Sequence, residues 1–186
     1  MILSEKYNFI FLANPKTGST SVSDSLFKLR DGFKHGQQDD KILRVNTGKD
    51  WKHAGSYRVQ NSPDWPWISQ VGDLSDYLKF SFVRNPWDRV VSWYFFVKKS
   101  PHPDRRSSRM SFKTFLTERQ NVWAKNNQNQ KKFTRCCDFV GRFENLQEDF
   151  NTVCNKIGIQ VPPLGHRLKT NHKHYTEYYD KNTRQV

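Results

Sequence analysis

Cysteine is scarce in this chain: three residues in 186, two of them adjacent at Cys136 and Cys137, and no Asn-x-Ser/Thr sequon occurs anywhere. An odd, partly contiguous set of thiols does not suit a disulfide-stapled secreted domain, so a reducing, cytoplasmic setting is expected. Long hydrophobic runs are missing too. The N-terminal stretch MILSEKYNFIFLA is broken by Glu5, Lys6 and Asn8, so no basic-then-apolar signal peptide or spanning helix is expected in it. No CxxC, HExxH or spaced carboxylate cluster is present, so no metal is expected. His172 and His174 with the Cys136–Cys137 pair are too poorly spaced to imitate a zinc site.

Negative charge is the other shortage. Lys and Arg number 31 against 18 Asp and Glu, a formal net charge of +13. Such a surplus calls for an acidic partner, whether nucleic acid, an anionic membrane, a polyanionic glycan or a multiply charged nucleotide. Aromatic residues supply 15% of the chain, enough apolar material for a core and too much for a disordered polycation. The length fits a single domain over residues 1–186.

Three strand-to-helix junctions organise the chain. YNFIFLA, Tyr7 to Ala13, reads as a strand covered on both faces, and Val22, Leu26 and Leu29 recur at helical spacing from about Ser19 onward. In YLKFSFVRNPWDRVVSWYFFV a strand around Lys79 to Val83 precedes Asn85 as N-cap, Pro86 at the first helical position and Asp88 in the first turn. In CDFVGRFENLQEDFNTVCNKIGI a strand near Phe139 to Phe143 leads into a helix with Leu146, Phe150, Val153 and Ile157 on one face, stopped by Gly158. Alternation of this kind implies an α/β fold, a mainly parallel sheet flanked by helices, with ligands gathering beyond the carboxyl ends of the strands. The stretches Asp31 to Pro66, Lys98 to Met110 and Glu118 to Lys132 read as polar connections, and no internal repeat is evident.

NPKTGSTS, Asn14 to Ser21, joins the first strand to the first helix. Gly18 permits close backbone approach, Ser19, Thr20 and Ser21 offer hydroxyls, Lys16 a point charge, and the helix start its amide donors, which together suit phosphate or sulfate. A plainer reading makes the same hydroxyls simple helix caps. The ATP and GTP phosphate loop ends Gly-Lys-Ser/Thr; here Lys16 precedes Gly18 and no Gly-Lys follows, which argues against an ATPase or GTPase.

PKTGSTS after a buried strand, together with FVRNPWDRVVSWY, resembles the sulfotransferases that use 3′-phosphoadenosine 5′-phosphosulfate (PAPS), in particular the carbohydrate-type, family 2-like branch. KHAGSYRV, FVGRFENL and HYTEYYDKNTRQV extend the resemblance over nearly the whole chain. It implies a P-loop-like sulfotransferase fold, and, since the family usually continues past a segment like YYDKNTRQV, a single domain over 1–186 that is expected to lack a C-terminal element. It further implies that Lys16, Thr17, Gly18, Ser19, Thr20 and Ser21 hold the 5′-phosphosulfate, with Lys16 neutralising charge on the bridging oxygen. Arg84 and Ser92 match the arginine and serine that bind the 3′-phosphate. His53, in KHAGSYRV, matches the branch's catalytic base, suited to that role by an ordinary pKa near 6.5; Asp50 and His35 compete with it. The implied acceptor is a hydroxyl on a carbohydrate or small molecule, with basic stretches Lys98 to Arg109 and Lys131 to Arg135 lining its groove. Glu144, Trp65, Trp67, Tyr175, Tyr178 and Tyr179 are expected to brace the fold. The rivals are a basic nucleic-acid-binding protein without catalytic activity, which the charge suggests but no recognised motif supports, and a small-molecule kinase, which requires Mg²⁺-dependent ATP binding.

Overall fold

The computed structural model describes residues 1–4, 6–27, 42–44, 73–99, 109–118, 129–160, 163–165, 172–181 and 183. The chain divides into two compact units, one formed by Met1–Val83 with Gln130–Arg167 and the other by Arg84–Asn129 with Leu168–Val186.

The first unit is built on a five-stranded sheet, β1 (Ile2–Ser4), β2 (Phe9–Leu12), β3 (Ile42–Arg44), β4 (Leu78–Val83) and β5 (Phe139–Arg142), ordered β3-β1-β2-β4-β5. β2, β4 and β5 run parallel, in register Phe11↔Phe80 and Phe82↔Gly141. β1 and β3 add an antiparallel edge that sequence patterning did not anticipate. β1 folds back on β2 through residues 6–8, where Asn8 adopts φ 48°, the left-handed conformation that Asn tolerates better than most residues.

β2 is buried at all four positions, and its alternating side chains serve two cores. Phe9 and Phe11 join Val22 and Leu26 of helix α1 (Ser19–Phe27) and Phe150 and Val153 of helix α3 (Leu146–Lys156). Ile10 and Leu12 face the other way, toward Met1, Leu3, Tyr77 and the Cys136–Cys137 pair. Phe11 and Phe80 stack with ring centroids 5.1 Å apart, and Phe82 meets each of them edge-on at 6.2 Å. Truncating one such fully buried ring to Ala costs roughly 3–5 kcal/mol. Gly141 makes room for this cluster, because a Cβ there would lie 2.5 Å from the Phe82 ring.

α3 ends as the sequence indicates. Gly158 takes φ 70°, its amide donates to Asn155 O, and the Ile159 amide donates to Cys154 O at 3.0 Å, which is the paired-bond helix stop that places an apolar residue back on the core. Ile159 is buried accordingly.

In the second unit, helix α2 (Pro86–Lys99) buries Val91, Ser92, Tyr94 and Val97. Its apolar face meets Met110 and the helical residues 112–118, where Phe115 packs edge-on to Trp93 and Tyr94. The Tyr94 hydroxyl donates to Met110 O at 3.0 Å, so this large polar ring is buried without an unmet donor. Among the described residues no helix is long and apolar enough to cross a membrane.

Candidate functional site

The loop after β2 is held by its own polar side chains. Asn14, fully buried, donates through Nδ2 to Phe82 O at 2.9 Å and to Gln130 Oε1 at 3.2 Å, fastening the exit of β2 to the end of β4. Thr17 is also fully buried, and its hydroxyl donates to Asn14 O at 2.9 Å. The Thr17 side chain therefore shapes the loop from within.

Lys16 has φ 63° and Gly18 φ 75°, with Thr17 between them outside the positive-φ region. Alternation of hand along three residues is the pattern from which backbone anion nests are made, because it turns successive N–H groups toward one side. A left-handed conformation costs a non-glycine residue roughly 1–2 kcal/mol, so Lys16 stores strain at the position that carries the loop's charge. α1 begins immediately beyond, its first hydrogen bond running from the Val22 amide to Gly18 O, and the opening turn of a helix points amide donors and a partial positive charge outward. Ser19 and Ser21 are buried in this turn, and Thr20 is half-buried.

Gly18 has a second reason to be glycine. A Cβ on it would lie 2.5 Å from Leu146 Cδ2 and 3.3 Å from Phe143 Cδ2, so the loop rests on the Phe143–Asn145 turn and the first residue of α3. The third junction, FVGRFENL, is thus the floor of the first. The sequence offered only the glycine; its neighbour lies more than a hundred residues away and carries no local signal.

β4 ends at Val83, and the second unit starts with Arg84. Asn85 caps α2 as expected: its Oδ1 accepts from the amides of Trp87 at 3.0 Å and Asp88 at 3.4 Å, and its Nδ2 donates to the Tyr175 hydroxyl at 3.3 Å. Arg84 Nε donates to Asp88 Oδ2 at 2.8 Å, with the two side chains only 8% and 18% exposed. The i, i+4 spacing of the pair is a recognisable sequence signal. Ser92, one turn further, is buried.

Among the described residues Arg89 is the largest fully buried side chain, at 2% exposure. Burial pushes its guanidinium down to about 10, and the like charge of Arg84 adds to the effect. Two sheltered guanidiniums with one carboxylate in the same segment make an electropositive locus suited to an anion.

Beside the cap, Trp87, Tyr175, Thr176 and Tyr179 line a pocket of about 190 Å³. The Tyr179 hydroxyl donates to Trp87 O at 3.0 Å; burial, aided by Asp88, raises its phenol above the ordinary value. Tyr178 packs edge-on against Phe95 and Phe112, with His172 stacked on Phe95. Nothing in the local sequence announced this pocket.

The profile described as "Sulfotransferase family" matches residues 1–185. This chain belongs to the sulfotransferase family. A protein of Archaeoglobus fulgidus (strain ATCC 49558 / DSM 4304 / JCM 9628 / NBRC 100126 / VC-16), bearing only the name "Uncharacterized protein", is 33% identical over 106 residues, which cover 52% of this sulfotransferase-family chain and 82% of that one. No solved structure matches. Family membership supports sulfotransferase activity in general, and the α/β sheet with its flanking helices is the architecture expected of it. Within the family frame, Lys16, Thr17, Gly18, Ser19, Thr20 and Ser21 share one loop and helix start in the first unit, while in the second Arg84 stands just ahead of α2 and Ser92 lies midway along it. His53, His35, Asp50, Trp65 and Trp67 lie outside the described residues. Among the described residues no group of three or more His, Cys, Asp or Glu side chains is placed to hold a metal ion.

Proposed function

We propose that this protein transfers the sulfuryl group of PAPS to a hydroxyl of a carbohydrate acceptor, with residues 1–186 acting as one catalytic domain. The observation that carries the reading is the NPKTGSTS loop: a strained, hand-alternating backbone at Lys16–Gly18, opening directly into α1, in a chain that matches the sulfotransferase family over residues 1–185. The donor set fits an anion of the size of a phosphosulfate: backbone amides, the hydroxyls of Ser19, Thr20 and Ser21, and one lysine.

When bound, PAPS supplies an activated sulfuryl group on a bridging oxygen. Lys16 stands by that oxygen and offsets the charge that grows as the S–O bond breaks, the kind of contribution worth about 3–4 kcal/mol for one well-placed donor. Thr17 and Gly18 hold the loop in shape, and the helix-start hydroxyls orient the phosphosulfate for in-line attack. Arg84 and Ser92 hold the 3′-phosphate and so discriminate the donor from ATP. His53 takes the proton of the attacking hydroxyl as the new O–S bond forms, and the leaving product is adenosine 3′,5′-bisphosphate. No metal takes part. A reducing, cytoplasmic setting belongs to the same proposal and rests on the odd, partly contiguous set of three cysteines in the sequence.

The test has two stages. In thermal shift, adenosine 3′,5′-bisphosphate is expected to raise the melting temperature where ATP and a short oligonucleotide do not; stabilisation by the oligonucleotide alone, fading with salt, would mark a nucleic-acid binder instead. Transfer of radiolabelled sulfate from PAPS to a panel of glycan acceptors should then be lost in His53→Ala while nucleotide binding persists. Full transfer activity in that variant would remove His53 from the mechanism.

A further inference from the structure

Asp88 is an awkward residue to find beside a phosphate site. A carboxylate repels a dianion, and Asp88 sits 2.8 Å from the Nε of the arginine assigned to the 3′-phosphate. Two effects of opposite sign compete. Left alone, Asp88 would weaken phosphate binding by repulsion and by neutralising Arg84. As an anchor, it would fix the guanidinium plane before the ligand arrives, removing the entropy cost of ordering a long side chain and aiming the Nη donors in a fixed fork.

The surroundings favour the anchor. Both side chains are sheltered from solvent, so the pair is not the swinging kind found on exposed helix faces. Asp88 is itself held, since its amide donates to the Asn85 cap at 3.4 Å, and the partial positive charge of the helix start favours a carboxylate in this turn. Arg89, buried one residue on, leaves the Arg84–Asp88–Arg89 set with a net positive charge. The contact engages Nε, the edge of a guanidinium that a phosphate gripped by the Nη fork does not use.

Resting on the donor reading above, we infer that Asp88 is a positioning residue for donor selectivity: by holding Arg84 Nε it presents the guanidinium to the 3′-phosphate and makes the protein favour nucleotides that carry one. Asp88 touches no reacting atom in this role. It acts through Arg84.

The experiment is calorimetric titration of wild type, Asp88→Ala and Asp88→Asn with adenosine 3′,5′-bisphosphate and, separately, adenosine 5′-monophosphate, with melting temperatures recorded in parallel. Wild type should prefer the bisphosphate. Asp88→Ala should lose on the order of tenfold in affinity for the bisphosphate while its affinity for the monophosphate stays unchanged. Asp88→Asn keeps an acceptor oxygen in place and should recover most of that loss. Tighter binding of the bisphosphate by Asp88→Ala would show that repulsion dominates and overturn the inference, as would equal losses for both nucleotides, the signature of a merely structural pair. If wild type itself makes no distinction between the two nucleotides, the donor reading fails and this inference with it; if wild type discriminates and Asp88→Ala discriminates equally, only the inference falls.

Discussion

The loop after β2, in the first unit, and the helix start after β4, in the second, are each proposed to hold an anion, yet they are made differently. The first is a backbone device. Its threonine hydroxyl turns inward to Asn14 O, its asparagine is spent on β4 and Gln130, and its shape rests on two positive-φ residues and on contact between Gly18 and the Phe143–Leu146 floor. The second is a side-chain device, a capped helix carrying Asp88, Arg89 and Ser92 with Arg84 just ahead of it. A site of backbone amides is fixed by steric fit and fails when the chain can no longer take its shape; a site of side chains is fixed by charge and fails when a partner is removed.

That contrast can be broken most sharply at Gly18. Gly18→Ala meets both the left-handed backbone cost and an overlap with Leu146, for a combined loss of about 2–5 kcal/mol, visible as a lowered midpoint in urea unfolding. No single alanine replacement of a polar side chain in α2 should approach it. Next is Lys16→Ala, expected to lower kcat by about 10²–10³-fold with little change in stability, measured by sulfate transfer from PAPS. Thr17→Val removes a buried hydrogen bond and leaves Asn14 O without that donor, costing about 1–2 kcal/mol in the same unfolding experiment.

The smallest effect lies in the second unit. Tyr179→Phe removes the bond to Trp87 O, worth about 1 kcal/mol near neutral pH. The phenol of Tyr179 is raised above its ordinary value of 10.0 by burial, with Asp88 adding to it, so the folded state keeps the proton after the unfolded chain has lost it. The stability this residue supplies is therefore complete below pH 10 and declines as pH rises further. The gap between wild type and Tyr179→Phe should narrow above that pH; a gap that widens there would contradict the assigned shift.

What could be read without coordinates follows the same division. The helix start at Pro86, the Asn85 cap and the Gly158 stop are local statements in which a few neighbouring residues decide the backbone, and each is present in the structure. The short apolar strands β2 and β4 are legible for the same reason. β1 has three residues and exists by pairing with β2, while β3 falls within a stretch that reads as polar connection; neither carries enough pattern to be seen alone. The double duty of Gly18 depends on Phe143 and Leu146, and the aromatic pocket on Trp87 meeting Tyr175 and Tyr179. Such contacts are set by tertiary folding, which spacing along the chain does not encode.

In the proposed reading the two devices divide their labour, one phosphate each, and crossed nucleotide binding tests that division most directly. Wild type, Lys16→Ala and Arg84→Ala are each titrated with adenosine 5′-monophosphate and adenosine 3′-monophosphate. Lys16→Ala should weaken only the 5′-phosphate ligand and Arg84→Ala only the 3′-phosphate ligand, each by roughly tenfold or more. Both variants losing the same ligand, or neither losing any, would contradict the account.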